Sequence, residues 1–442
     1  MLLKLNLENF LSFRDKTIFS LAASAGRKFT NRVQQHDCSS KRIVPISAIY
    51  GGENSGYESF PKALRFFKQL VTDNPDFISS LNLFTFQNYA EDKVLPIKMG
   101  VEIIANENVY RFSFVAIKDV IVNERLIKVM HDSKILLYER RKKKIKVPRS
   151  TENYEELKDL FKTMPRSQLF LQHTVRNKFP HFQDVYNWFQ DTIQVAGPNS
   201  RIHTQRNMDA TFTESEFFPD FVAMIDQNST QFRLDSLLVP KEAPVYQAFS
   251  EGRLKQCGDF ALYVNTATQG LEVYYKYKTF NDSKLLKLFP FDPNSPWERF
   301  PISRPFSSSK DKQELVTFLC LSELVLSQKP RIYILNDFDT PFELIRARNL
   351  LTNFLDYASR ETRAQLFLTS KNVLLLDKKL FRQDEIWIAE HGDYGDTRLL
   401  SLGDYKKSIK EREVWRAYKS NRIGGIYTPL LMAALEVGQR ER

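Results

Sequence analysis

The chain has 442 residues, 42% hydrophobic and 13% aromatic, with 35 Phe against 15 Gly, so a sizeable folded core is expected and extensive disorder is excluded. That length exceeds one small core without requiring two independent domains, and one large α/β domain carrying an insertion satisfies it. The formal charge of +11 favours an anionic partner, because clustered Lys and Arg displace counterions from phosphates. Cys38, Cys257 and Cys320 are far apart and lack paired metal-ligand spacing, so neither a disulfide framework nor a zinc site is indicated and a reducing cytoplasm is the expected setting. The start "MLLKLNLENFLSF" is interrupted by Lys4, Asn6, Glu8 and Asn9 before any signal-peptide core, and no later run approaches the ~18 apolar residues of a membrane span.

From Met1 to Tyr50 the chain reads as strands, ending in the apolar, β-branched "RIVPISAIY". The turn "GGENSG" follows. Residues 57–72, "YESFPKALRFFKQLVT", place Phe60, Leu64, Phe67 and Leu70 at helical spacing, so this Gly-rich turn joins a strand to a helix, the context of a phosphate-binding loop. Residues 97–147 read as an antiparallel meander, with turns at "NEN", "KD" and "HDSK". Its last segment, "YERRKKKIKVPR", is the densest basic run, and reads either as a solvated hairpin end or as a contact for nucleic acid or an acidic protein through Arg140, Arg141, Lys142, Lys143 and Lys144.

From residue 151 to about 230 the period becomes helical, in "TENYEELKDLFKTM", "FQDVYNWFQDTI" and "SEFFPDFVAMID", with caps expected at Thr151 and Thr213. In the second of these, Phe182, Tyr186, Trp188 and Phe189 suit a packing helix or a partner-docking one. "FALYVNT" and "LEVYYKYKTF" read as strands, and Pro290, Pro293, Pro296, Pro301 and Pro305 form an extended connector. Beyond it helix "DKQELVTFLCLSELVLS", strand "RIYIL", helix "PFELIRARNLLTNFLDYA", strand "AQLFLTS", a short helix at "NVLLLD" and strand "EIWIAE" alternate. Such alternation argues for a helix-covered parallel sheet, which the distant strand before "GGENSG" would join.

Taken in order, "LNLENFLSFRDKTIFSLAAS", "PISAIYGGENSG", "RIYILNDFDT", "AQLFLTSKNVLLLD", "FRQDEIWIAEHGDYGDTRLLSLGDYK" and "NRIGGI" give the chain, over nearly its whole length, a resemblance to a known family. It resembles the ABC/SMC-like ATPases, often classed with AAA-type proteins, of bacterial phage-defence operons, such as the AbiL-like, OLD-like and PARIS-like ATPases. The resemblance implies an α/β fold: a P-loop ABC-ATPase-like head with an antiparallel β-meander and an inserted, mainly helical subdomain. Its parts would be an N-terminal P-loop lobe with the meander (1–150), a helical insertion (151–255), and a C-terminal lobe with signature-like and Walker B-like segments (256–442).

In that family a G-x-x-x-x-G-K-[ST] loop wraps phosphates with backbone N–H groups, its Lys neutralises their charge and its Ser or Thr holds magnesium. The matching nucleotide-binding stretch here is Gly51, Gly52, Glu53, Asn54, Ser55, Gly56, Tyr57, Glu58 and Ser59, and Gly51, Asn54, Ser55 and Gly56 fit the wrap. Tyr57 puts a neutral phenol at the cation position, however, and Glu58 puts an anion at the magnesium-ligand position. Unit charges about 4 Å apart are worth roughly 4 kcal/mol at an effective dielectric near 20, so an affinity loss of about a thousandfold is expected. Lys62 and Arg65 lie more than one helical turn onward.

The Walker B position carries Asn336 and Asp337 in place of Asp-Glu, the signature position carries Ser307 and Ser308 with Ser309 in place of Gly, and the switch-His position carries Lys371. Asp337 retains a carboxylate able to orient water, or caps nearby amides. Lys371 would pair with Asp337 or Glu58 and turn the old site into a salt-bridge cluster. Four altered elements on a retained scaffold imply a pseudo-ATPase with ATP held weakly or not at all and no proper magnesium set. It would act as scaffold or regulatory subunit, in a homodimer, a higher oligomer, or a hetero-complex with an active ATPase or nuclease effector. The alternatives are a true ATPase repaired by Lys371, Lys310 or a partner's residues, and a nucleic-acid-binding module.

The six histidines form no helical metal pair, and no G-x-S-x-G elbow surrounds the serines. "DEIWIAEHGDYGD" carries Asp384, Glu385, Glu390, Asp393 and Asp396, and its alternation favours an edge hairpin over a metal-nuclease site.

Overall fold

The computed structural model describes residues 1–26, 28–52, 55–72, 85–86, 95–196, 245, 330–340, 342, 344–360, 363–377, 379–392 and 394–404, together with the strand backbone between 234 and 290. The chain divides into two compact units, one formed by Met1–Gln194, Gln328–Asp337 and Ser359–Arg442, the other by Val195–Ser327 and Phe338–Ala358.

The first unit opens with strands β1 (Leu2–Glu8), β2 (Thr17–Ser20), β3 (Gln34–His36), β4 (Ser39–Ile43) and β5 (Ile46–Tyr50), followed by helix α1 (Ser59–Thr72). The meander comprises β6 (Ile97–Ala105), β7 (Asn108–Ile117), β8 (Val120–Val129), β9 (Lys134–Arg141) and the short β10 (Lys144–Lys146). At its first turn Asn106 and Glu107 both take left-handed φ, 45° and 53°, which lets a tight hairpin follow the strand twist. β1 and β2 extend the meander into one antiparallel sheet of order β10-β9-β8-β7-β6-β1-β2. Helices α2 (Tyr154–Thr163), α3 (Phe170–Arg176) and α4 (Gln183–Asn187) come next, then a π-helical turn, Trp188–Thr192, and strand β11 (Ile193–Ala196).

The first unit continues past residue 150 to Gln194 because the sheet holds these helices with buried polar groups as well as apolar ones. Glu124 on β8, fully buried, accepts the backbone N–H of Phe170 (2.7 Å) and of Leu171 (3.0 Å) at the start of α3, and the Tyr138 hydroxyl (2.7 Å). Arg140, 1% exposed, donates to the carbonyls of Gln168 (2.6 Å) and Arg166 (2.8 Å). Arg140 is therefore removed from the basic surface that the sequence suggested, because its guanidinium is spent on a loop inside the fold. Burial pushes the Glu124 carboxyl up and the Arg140 guanidinium down, each opposed by the other's charge. Phe182, Trp188 and Phe189 are buried, with Phe189 4.9 Å from Phe67, so this segment packs into the core. The α2 cap is not Thr151, whose N–H bonds the Pro148 carbonyl in a turn; Asn153 occupies the cap position at φ 54° without a side-chain cap bond. The segment with Thr213 lies outside the described residues.

In the second unit β12 (Leu234–Leu238), β13 (Lys255–Cys257), β14 (Phe260–Asn265), β15 (Gly270–Thr279) and β16 (Asp282–Pro290) form an antiparallel sheet of order β12-β16-β15-β14-β13, and helix α5 spans Leu344–Tyr357.

The remaining strands, β17 (Arg331–Leu335), β18 (Ala364–Ser370), β19 (Ile386–His391) and β20 (Thr397–Ser401), recruit β5 into a sheet of order β11-β17-β18-β5-β19-β20. β17, β18, β5 and β19 run parallel, and β20 turns back antiparallel through Gly395 at φ 77°. Every residue of β5, β17 and β18 is buried, the pattern of a sheet covered on both faces. α1 lies between the two sheets. Phe60 meets Phe367 of β18 (5.6 Å) and Phe19 of β2 (4.2 Å), while Phe67 meets Phe112 (5.8 Å) and Phe114 (5.4 Å) of β7. "NVLLLD" forms one 3-10 turn, Val373–Leu375. Asp384 and Glu385 precede the β19–β20 hairpin and form buried pairs with Arg382 (2.7 Å) and Arg32. Among the described residues no three His, Cys, Asp or Glu side chains gather as metal ligands, and no helix is long and apolar enough to cross a membrane.

Removing the Glu124 carboxylate strands Arg140, Tyr138 and two helix N–H groups, so Glu124→Ala is expected to cost about 3 kcal/mol in urea unfolding, whereas exposed Lys162→Ala changes nothing measurable. His36 is 2% exposed, both its ring nitrogens lack partners among the described residues, and burial first, then Arg363, lowers it from 6.5 to about 4. The fold thus favours the neutral ring, and the unfolded chain binds the extra proton between those two values. Its stabilisation is complete above pH 6.5 and is lost as pH falls toward 4, so the melting temperature of His36→Leu should fall less steeply over that range than that of the parent chain.

Candidate functional site

β5 delivers Gly51 to the start of the Gly-rich turn, and the close approach of the loop's own side chains dictates glycine there. A Cβ on Gly51 would lie 2.1 Å from Ser55 Oγ and 2.9 Å from Tyr57 Cβ. Gly56 has φ 77°, and a Cβ there would lie 1.8 Å from Thr397 Oγ1 and 2.5 Å from Ser12 Oγ. The turn is fixed by hydrogen bonds from Ser55 N to Gly52 O (3.2 Å), Ser59 N to Gly56 O (2.8 Å) and Thr397 Oγ1 to Ser55 O (2.8 Å). Ser12 bridges Thr397 (2.6 Å) and Ser59 (2.7 Å), so β20 and the loop after β1 brace the start of α1. Ser55 is 1% exposed and its hydroxyl has no partner among the described residues.

Tyr57, at the loop's cation position, is only 3% exposed. Its hydroxyl donates to Asp337 Oδ1 at 2.7 Å and lies 3.3 Å from Glu58 Oε1. The single phenolic proton goes to the nearer, better acceptor. Burial first, then the hydrogen bond to Asp337, pushes the phenol well above its ordinary value of 10, so it is neutral at any physiological pH. Asp337 is fixed from both sides: it sits just past β17 at a left-handed φ of 47°, its N–H donates to Thr369 Oγ1 of β18 (2.9 Å), and its carboxylate receives the phenol.

The salt-bridge cluster expected from the sequence does not form, because each carboxylate has taken a closer donor. Glu58 pairs with Lys62 one turn along α1 (2.7 Å), and that bond is the main reason its carboxyl sits below the ordinary carboxylate value. Lys371 is exposed, with its ammonium 5.8 Å from the centre of the Tyr57 ring, at the outer reach of a cation–π contact. Asn336 Oδ1 is buried without a partner among the described residues. Gly51, Gly52, Ser55, Gly56, Tyr57, Glu58, Ser59, Asp337 and Lys371 thus belong to one neighbourhood, whereas Glu53, Asn54, Ser307 and Ser308 lie outside the described residues. Reasoning from the sequence missed the bracing by Ser12 and Thr397 and the Thr369 contact to Asp337. The available signal was the parallel sheet itself, which brings the ends of β5, β17 and β18 to one edge.

The site is a Gly-rich strand-to-helix turn beside the ends of two further parallel strands, with an antiparallel meander packed on the other side of the same helix. A comparison with solved structures finds two SMC heads at low similarity. The SMC head domain from Thermotoga maritima is 10% identical, covers 90% of this chain and 98% of its own, and gives a TM-score of 0.37. A SmcHead bound to the C-winged helix domain of ScpA is 12% identical, with 91% and 98% coverage and a TM-score of 0.39. No protein-family model matches the chain, and no curated protein matches it.

Tyr57→Phe leaves the Asp337 carboxylate without its donor and should lower stability in urea unfolding by about 1.5–3 kcal/mol, the range for a hydrogen bond to a charged group. Lys62→Met breaks only a half-exposed pair and should cost less than about 1 kcal/mol.

Proposed function

We propose that this chain is an ABC-type head that does not hydrolyse nucleotide and works as a scaffold or regulatory subunit. One observation carries this reading: the Tyr57 phenol is hydrogen-bonded directly to Asp337. A nucleotide site needs a cation on the loop, a carboxylate at the position of Asn336 to support magnesium and a free carboxylate at the position of Asp337 to orient the attacking water. Here the loop residue is a neutral donor, and the carboxylate oxygen it meets already accepts its hydrogen bond. Magnesium triphosphate would have to break that bond, and would gain no lysine in exchange. Glu58 adds a negative charge at the foot of the loop, its counter-ion Lys62 lying outward on α1. The residues at hand do not fit magnesium ATP, so no hydrolytic step is assigned to them.

The scaffold reading uses what the degenerate site keeps, namely a rigid edge where β5, β17 and β18 end. A homodimer, a higher oligomer, or a complex with an active ATPase or nuclease effector would be assembled on such a head. A bacterial anti-phage defence system is the proposed setting, supported by the order of motifs in the sequence.

Titration calorimetry with magnesium ATP is expected to give a dissociation constant weaker than about 1 mM, equivalent to less than about 4 kcal/mol. Micromolar binding with phosphate release by the unmodified chain would overturn the proposal. The double change Tyr57→Lys with Glu58→Ser should tighten binding by at least about tenfold, since it restores a cation and removes an anion, without producing turnover while Asn336 and Lys371 remain.

A further inference from the structure

We infer that the β9–β10 hairpin is a docking surface for the phosphate backbone of nucleic acid, and that it works without nucleotide. The basic run divides in the fold. Arg140 turns inward, while Arg141, Lys142, Lys143, Lys144, Lys146 and Arg149 are all exposed. Arg141 has a partner in Glu139 at 3.0 Å, but the other five have no carboxylate within ion-pair distance among the described residues. Lys142 occupies a left-handed turn position, φ 52°, where Gly or Asn would be the easier choice. A conformationally costly position therefore carries a charge.

Among the described residues β10 is the outermost strand of its sheet, paired only with β9. Lysine on an edge strand also discourages edge-to-edge pairing, and one or two such residues would serve that purpose. Five uncompensated cations within eight residues go beyond it. Lys144 and Lys146 project from alternate positions of an extended strand, so they stand about 6.8 Å apart. Phosphates recur at a fixed interval along a nucleic-acid strand, one charge per ~3.4 Å of helix axis, so a row of uncompensated cations can be neutralised along a single backbone. Tyr138, the aromatic nearest the run, is fully buried and unable to stack on a base, so recognition is of phosphate and independent of sequence.

The test is fluorescence anisotropy of a labelled duplex DNA titrated with the full chain over a range of salt concentrations. The unmodified chain should bind with an affinity that falls steeply with salt. Combining Lys142→Gln, Lys143→Gln, Lys144→Gln and Lys146→Gln should reduce the slope of log K against log salt by about 3–4, at roughly 0.9 for each phosphate no longer neutralised. These side chains are exposed, so the melting temperature should not change, and Lys158→Gln with Lys162→Gln should keep the parent slope. No DNA binding by the parent, or an unchanged slope in the fourfold variant, overturns the inference. So does self-association of that variant with DNA binding intact, which would make the lysines an edge guard. Displacement of the DNA by polyglutamate as readily as by unlabelled duplex would assign the surface to an acidic protein instead. An affinity that appears only with magnesium ATP would overturn the nucleotide-independent part.

Discussion

The hydrogen bond from Tyr57 to Asp337 is the constraint around which the candidate site is arranged. It joins a loop residue near the start of the sequence to one 280 positions further along, and it forms only because β5 and β17 flank β18 in the same parallel sheet. Thr369, on that intervening strand, fixes the Asp337 backbone, and the left-handed turn at Asp337 aims the carboxylate at the phenol. Beside this bond Glu58 pairs with Lys62 one turn along α1, and Lys371 stands over the Tyr57 ring.

The scaffold around this bond is rigid. β5, β17 and β18 are buried along their full length, α1 is wedged between the two sheets by Phe60 and Phe67, and Gly51 and Gly56 remain where no Cβ fits. The glycines are required by the turn's own packing, against Ser55, Tyr57, Ser12 and Thr397, whether or not a phosphate is present. The charged groups at the turn are held by other bonds, Asp337 by Tyr57 and Glu58 by Lys62.

Much of the fold was legible because local periodicity carried it. The meander, the α1 pattern, and the strands "RIYIL", "AQLFLTS" and "EIWIAE" are read directly from hydrophobic spacing, and their alternation predicted that the strand before "GGENSG" would join them. What periodicity could not supply was the partner of a side chain. Arg140 belongs to a five-cation run, yet it is internal, because its place on β9 puts it on the face that carries Glu124. Lys371 was expected to neutralise a carboxylate because both were known to be near the site. The outcome was decided by geometry at the scale of a single bond, where Tyr57 and Lys62 are closer donors. Thr151 illustrates a smaller limit, a good capping residue consumed by a turn three residues before the helix begins.

The most direct measurement is a crystal structure of the full chain grown with magnesium and a non-hydrolysable ATP analogue at millimolar concentration. The account predicts the Tyr57 hydroxyl still bonded to Asp337 at about the 2.7 Å separation, with no triphosphate in the Gly51–Gly56 turn. A triphosphate seated in that turn, with Tyr57 swung away from Asp337, would contradict it.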